Sequence, residues 1–240
     1  MKVIGTRIAL ALFLAFGCFW VTASAQSPEL QQKVAELKQA MAQNQQALAQ
    51  YQWNETMTIS LKGEEKKQEH FQVRLGPDGK PQKTSLDPPP SSSSDSGGGR
   101  RGRLKEHVVE KKKEEYQDYA NQIKSLIQQY LPPNKETLQQ AFQAGNVTLG
   151  SAGAPDEYAL NVANYLKQGD KMIIAFNKEQ HAISSITLAS YLNDPKDAVN
   201  VNVSFSSIPG GPNHIDSETI NGVSKQLTIA VQNSNYQKLQ

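Results

Sequence analysis

The side chains able to do acid–base, nucleophilic or metal chemistry are few in this chain, and they stand apart. Four histidines, His70, His107, His181 and His214, fall on four different segments. None has a second His, Asp or Glu at the spacing that sets two zinc ligands on one face, so each reads as a surface or strand histidine. His214, Asp216 and Ser217 suggest a hydrolytic set, but alternation along a strand places Ser217 opposite the other two. Gly150-Ser151-Ala152-Gly153 lacks the nucleophile-elbow pattern, and neither a phosphate loop nor a dinucleotide fingerprint occurs. The expectation is a non-enzymatic protein with no catalytic residue, metal or cofactor.

The first 25 residues read as an export signal: Lys2 and Arg7, an apolar run of 14 residues from Ile8 to Val21, then Ala23-Ser24-Ala25. The run is shorter than the roughly 20 residues of a spanning helix. Cleavage is expected near Ala25, with a soluble periplasmic or secreted product and no transmembrane segment. Cys18 is the one cysteine and would leave with the signal, and the residues around it fit a lipoprotein cleavage box poorly. Two of the 25 basic side chains and none of the 23 acidic ones lie in this segment. The product is thus neutral and thiol-free, which argues against nucleic acid as a partner and against disulfide or thiolate-metal chemistry. Three N-glycosylation sequons, at Asn54, Asn146 and Asn202, are no more than such a composition yields by chance.

Elements follow from periodicity. Ser27-Pro28-Glu29 is a helix start, with an N-cap hydroxyl, proline in the first turn and an early acid. Leu30, Val34, Leu37, Met41, Asn44, Leu48 and Tyr51 then form one seam, suited to a helix lying across a sheet. Strands are expected through Trp53, Met57, Ile59 and Leu61, through Phe71 to Leu75, and near Gln82 to Leu86 after the Gly76–Gly79 turn. Residues 87–103, rich in Pro, Ser, Gly and Arg, read as a disordered loop. The basic side chains from Arg100 to Lys113 are interleaved with glutamates and read as a solvated flank. Leu104 to Tyr130 is a second helix and Asn134 caps a short third. The remainder is strand and turn, with a bulge or twist between Ile183 and Ile186. Asn221-Gly222 is the strongest hairpin signal, and Val223, Leu227, Ile229 and Val231 form the last apolar face.

The sum is an α+β domain: a curved antiparallel sheet, an incomplete barrel of about eight or nine strands, with an N-terminal helix and two further covering helices. Residues 26–86 supply the first helix and meander, and 104–240 complete the same domain. The element order resembles that of the periplasmic lipoprotein carrier and sorting superfamily, clearest from Met172 to Leu188 and at the loop Pro209-Gly210-Gly211-Pro212 leading to Ile215. That resemblance implies a half-barrel holding acyl chains on its concave face. The expected apolar lining is Trp53, Met57, Ile59, Phe71, Val73, Ile174, Val201, Val203, Leu227 and Ile229, these residues either lining a site for a lipid or acyl chain or, equally, packing as plain core under the three helices. The rival expectation is an interaction module whose helix 27–51 binds a partner protein.

Overall fold

The computed structural model describes residues 27–88 and 100–239, with only the backbone of 100–109. The expected signal segment, its cleavage site and most of the 87–103 loop lie outside the described residues. Ten strands form one antiparallel sheet: β1 (Tyr51–Leu61), β2 (Glu64–Leu75), β3 (Pro81–Ser85), β4 (Val147–Gly150), β5 (Glu157–Ala163), β6 (Lys171–Asn177), β7 (Ala182–Tyr191), β8 (Ala198–Ser207), β9 (Asn213–Gly222) and β10 (Leu227–Lys238). Their spatial order is β3-β2-β1-β10-β9-β8-β7-β6-β5-β4. Every neighbouring pair is consecutive in sequence except β1 and β10, the first and last of the described strands. β3 and β4 are the open edges, so the barrel is incomplete.

Three helices accompany the sheet: α1 (Pro28–Leu48), α2 (Arg100–Tyr130) and α3 (Lys135–Gln143). Ser27 caps α1, its side chain accepting from the Leu30 amide at 3.2 Å, and Asn134 caps α3, accepting from the Thr137 amide at 2.9 Å. The connection from β3 to β4 must travel from one edge of the sheet to the other. At ~4.8 Å per strand spacing the nine gaps measure ~43 Å along the sheet. A helix of 31 residues spans ~46 Å, so α2 has the length this crossing needs.

The α1 seam lies on the protein's own sheet. Leu30, Val34 and Leu37 are buried with Ile123, Tyr130 and Leu138 from the other helices and with Leu160, Met172, Ile174, Leu188 and Val201 from the strands. Asn44, the polar break in the seam, exchanges two hydrogen bonds with the Asn213 backbone, at 2.8 and 2.7 Å. The end of α2 is tied down by Asp170, which is 1% exposed. Its carboxylate accepts from the Tyr130 hydroxyl at 2.6 Å and from the amides of Tyr165, Leu166 and Lys167 at 2.6, 2.9 and 2.8 Å.

Three expectations need correction. The sheet has ten strands rather than eight or nine; β4 is only four residues long and two of its side chains, Thr148 and Leu149, are exposed, so it shows no full period. α2 starts at Arg100, which makes the last four residues of the expected loop its first turn. Asn221 and Gly222 do not form the hairpin turn. They end β9, and the chain reverses through 223–226 with Gln226 at φ 51°, leaving Val223 exposed in the turn. Gly222 has a different role: a Cβ there would stand 2.6 Å from Ile123 Cδ1 and 2.7 Å from Tyr119 Cε1, so the glycine lets α2 approach the sheet.

Candidate functional site

Because residues paired across antiparallel strands share a face, the register traces the concave surface row by row. One row runs Ile59, Ile229, Ile220, Val201, Leu188, Met172, Val162, Val147 across eight strands. The next runs Met57, Val231, Glu218, Val203, Ile186, Ile174, Leu160, Leu149. A third, at the other end of β1, sets Phe71, Glu55 and Asn233 side by side, and Trp53 faces Val73 beyond it. All ten expected lining residues therefore share one face. The opposite face is polar: Asn200, Asn202 and Ser204 on β8 are exposed between buried valines.

Within that face the ten separate into two groups. Ile174, Val201, Val203, Leu227 and Ile229 are sealed in the core beneath the helices, and Trp53 and Val73 are buried at the far end of β1 and β2. Met57, Ile59 and Phe71 are only half-buried, as is their neighbour Val231. Two surface clefts, of about 460 and 330 Å³, lie elsewhere. The larger runs between α2 and the loop after β7, lined by Asp118, Gln122, Lys167 and Asn193; the smaller follows the β4–β6 edge. None of the ten residues lines either.

A polar cluster interrupts the apolar face at the β1–β10–β9 end. Glu55 is 6% exposed and accepts a hydrogen bond from Lys83 Nζ on β3. Glu218 stands in an otherwise apolar stretch, directly opposite Val231 and Val203. Loss of water raises its carboxyl to about 7, with the Lys83 ammonium pulling it down and the Glu55 carboxylate pushing it up. Glu218 Oε1 is sealed from solvent without a hydrogen-bond partner, and so are Asn233 Oδ1 and Trp53 Nε1; these are three of the six such side-chain atoms among the described residues. The Asn233 orientation is set by its amide nitrogen, which donates to the Ile215 carbonyl at 3.1 Å. Trp53 stacks on Tyr236 at 5.4 Å, Tyr236 lies 3.9 Å from the His214 ring, and its hydroxyl donates to the Ile215 carbonyl at 2.9 Å. Burial raises the Tyr236 phenol above its usual range, with smaller contributions from Asp216 and Glu55.

Of the histidines, His214 is buried and hydrogen-bonded to Ser206 at 3.1 Å, His70 meets Thr56 at 3.2 Å, and His181 is an exposed turn residue near Glu36. The His107 side chain is outside the described residues. Ser217 pairs with Ser204 and Gln232 on the polar face, and Asp216 is the extra residue of a bulge opposite Ser204 and Phe205. No group of three potential metal ligands occurs among the described residues. Glu55 and Glu218 were missed from sequence although a signal existed: both occupy the apolar parity of their strands, Glu55 between Trp53 and Met57 and Glu218 two residues before Ile220.

No family model matches the chain and no curated protein matches it. Among solved structures, it is similar to a DUF1329 family protein from Desulfovibrio piger, at 13% identity and a TM-score of 0.43 over 85% of this chain and 92% of that one. It is also similar to a LolA superfamily protein from Nitrosomonas europaea, at 9% identity and a TM-score of 0.37 over 85% of this chain and 93% of that one.

Proposed function

We propose that this is an exported, non-enzymatic protein that holds an apolar chain, the acyl or alkyl chain of a lipid, against the concave face of its half-barrel where β1, β2 and β10 meet. The observation that carries the reading is the half-buried group Met57, Ile59, Phe71 and Val231, which shares a face with the sealed core but is not sealed itself. Apolar side chains left part-exposed on a curved face beside a few convergent polar groups are the usual makings of a small-molecule site. The helix-binding alternative has less to stand on, because Leu30, Val34 and Leu37 are covered by the protein's own sheet. The apolar run at the N-terminus supports export, and among the described residues no helix is long and apolar enough to cross a membrane.

Native mass spectrometry of the protein recovered from the extracytoplasmic fraction of its own cells tests the reading. Recovery there with an added mass that dissociates as a lipid is the expected result. Absence from that fraction, or a bare mass under the gentlest ionisation together with no uptake of a fluorescent fatty-acid probe, would overturn it.

A further inference from the structure

The seam that seats α2 on the sheet continues past the point where the sheet stops covering it. Tyr119, Ile123, Leu126 and Tyr130, at steps of four, three and four residues, are buried. Carried back along the helix, the same seam passes the half-buried Tyr116 and reaches positions 112, 108, 105 and 101, again at steps of four, three and four. These hold Lys112, Val108, Lys105 and Arg101. Every residue from Glu110 to Glu115 is exposed, so the seam is uncovered there and has turned from apolar to basic.

Bases and acids that alternate in sequence separate on this helix. Glu106, Glu110 and Glu114 step by four and form a row on the far side from the seam. Arg103, Lys111 and Lys113 each have one of these glutamates three residues away, the spacing of a helical ion pair. Arg100, Arg101 and Lys105 have no acid three or four residues away. Lys112 has only Glu115, which Lys225 of the β9–β10 turn holds at 2.5 Å. Residues 100–115 carry seven basic and four acidic side chains, against 16 and 19 in the rest of 26–240, so a neutral sum conceals a positive arm on a negative body. The arm is anchored where it leaves the sheet. The Lys225 ammonium lies over the Tyr116 and Tyr119 rings at 5.6 and 5.3 Å, and the Ser224 hydroxyl donates to that of Tyr119 at 3.0 Å. The neighbouring β1–β2 turn adds no charge, since Lys62 and Lys66 balance Glu64 and Glu65.

We propose that the 100–115 arm of α2 docks the protein on an anionic lipid surface, with the seam of Arg101, Lys105, Val108 and Lys112 as the docking face. A basic stripe with an apolar residue in it suits the plane of an anionic bilayer, where each base near the surface strengthens binding by about fivefold. The β9–β10 turn that anchors the arm joins the strands at the end where Leu227 and Ile229 pair with Leu61 and Ile59. Docking therefore brings that end of the concave face toward the bilayer. The inference does not depend on the apolar-chain reading, and its test is separate.

The test is co-sedimentation of protein from the extracytoplasmic fraction of its own cells with two kinds of vesicle. One is phosphatidylcholine alone; the other is equal parts phosphatidylcholine and phosphatidylglycerol. At about 0.1 M salt, where charges act over about 10 Å, the protein is expected to bind the mixed vesicles at least about thirtyfold more tightly; at about 1 M, where they act over about 3 Å, the preference should vanish. Arg101→Gln/Lys105→Gln/Lys112→Gln should lose at least about thirtyfold in affinity for the mixed vesicles. Lys171→Gln/Lys196→Gln/Lys238→Gln removes the same charge from exposed positions on the body, and should lose less than about threefold. Equal binding to both vesicles, binding to neither, or a preference that persists at high salt would overturn the proposal, and none of these readings needs a variant. Equal losses in the two triple variants would also overturn it, since net charge rather than the seam would then govern binding.

Discussion

The Tyr130 hydroxyl donates to Asp170 at 2.6 Å and also meets Ser190 Oγ at 2.9 Å, so the last turn of α2, the β5–β6 turn and β7 share one buried hydrogen-bond junction. Burial, and then the Asp170 bond, keep the Tyr130 phenol above its usual range, so it remains a donor at any pH the fold meets. Tyr130→Phe removes one charge-assisted bond but leaves the three amides that Asp170 holds; a loss of about 1–3 kcal/mol is expected in urea unfolding. Asp170→Ala orphans those amides and should cost roughly 3–5 kcal/mol. A Tyr130→Phe protein as stable as the parent would show that the junction does not anchor α2.

Glu218 should weaken the fold in neutral and basic solution. Its carboxyl titrates near the usual 4.5 in the unfolded chain and near 7 when folded. Between those values the folded state binds more protons. The stability this confers is therefore fully present below about pH 4.5 and is lost as pH rises through about 7. At about 1.4 kcal/mol per unit the difference amounts to roughly 2–4 kcal/mol. Glu218→Gln should accordingly be more stable than the parent at pH 8 and about equal to it at pH 4.5, read from urea midpoints at the two pH values. Equal midpoints at pH 8 would mean the carboxyl is not desolvated.

Gly222→Ala should destabilise by about 1–3 kcal/mol through overpacking, because the added methyl meets Ile123 Cδ1 and Tyr119 Cε1. The backbone at Gly222 is not in the left-handed region, so conformational strain contributes little. A double-mutant cycle separates the two causes. Ile123→Ala alone should cost about 2–5 kcal/mol, and Gly222→Ala added to it should cost clearly less than in the parent. An unchanged cost would place the origin in the backbone.

Met57→Glu should reduce uptake of a fluorescent fatty-acid probe about tenfold while lowering stability by less than about 1.5 kcal/mol, since Met57 is only half-buried. Val201→Ala, in the sealed part of the same face, should do the reverse: a stability loss of about 1–3 kcal/mol with probe affinity in the remaining folded protein unchanged. Equal effects of both on binding would place the ligand inside the core instead.

How much of this was legible in sequence depended on how far each feature repeats. Strands with a buried face, such as β8 with Val199, Val201 and Val203, announce themselves by alternation. So do the helix starts at Ser27 and Asn134, whose caps act within three residues. β4 escaped because four residues are too few to show a period. Gly222 was misread because a glycine needed for close approach of another element and one needed for a turn are the same letter; only the position of Ile123 separates them. The cluster at Glu218 needed the register. Glu55, Lys83, Asn233 and Glu218 come from four strands, and their convergence is decided by pairings between β1 and β10 that no local pattern encodes.

The pairing of β1 with β10, from Tyr51 opposite Lys238 to Leu61 opposite Leu227, also governs the order of events in folding. The second strand edge of β1 has no partner until β10 emerges, so the N-terminal meander waits with that edge unpaired while α2, α3 and β4 to β9 are made. Contacts of such high sequence separation close loops that take in α2, α3 and the eight strands β2 to β9, and form late and slowly. During that interval the β1 edge is the segment with most to gain from a chaperone or a covering chain, and truncation of the final strand would leave it, with β9, as a permanent site for association.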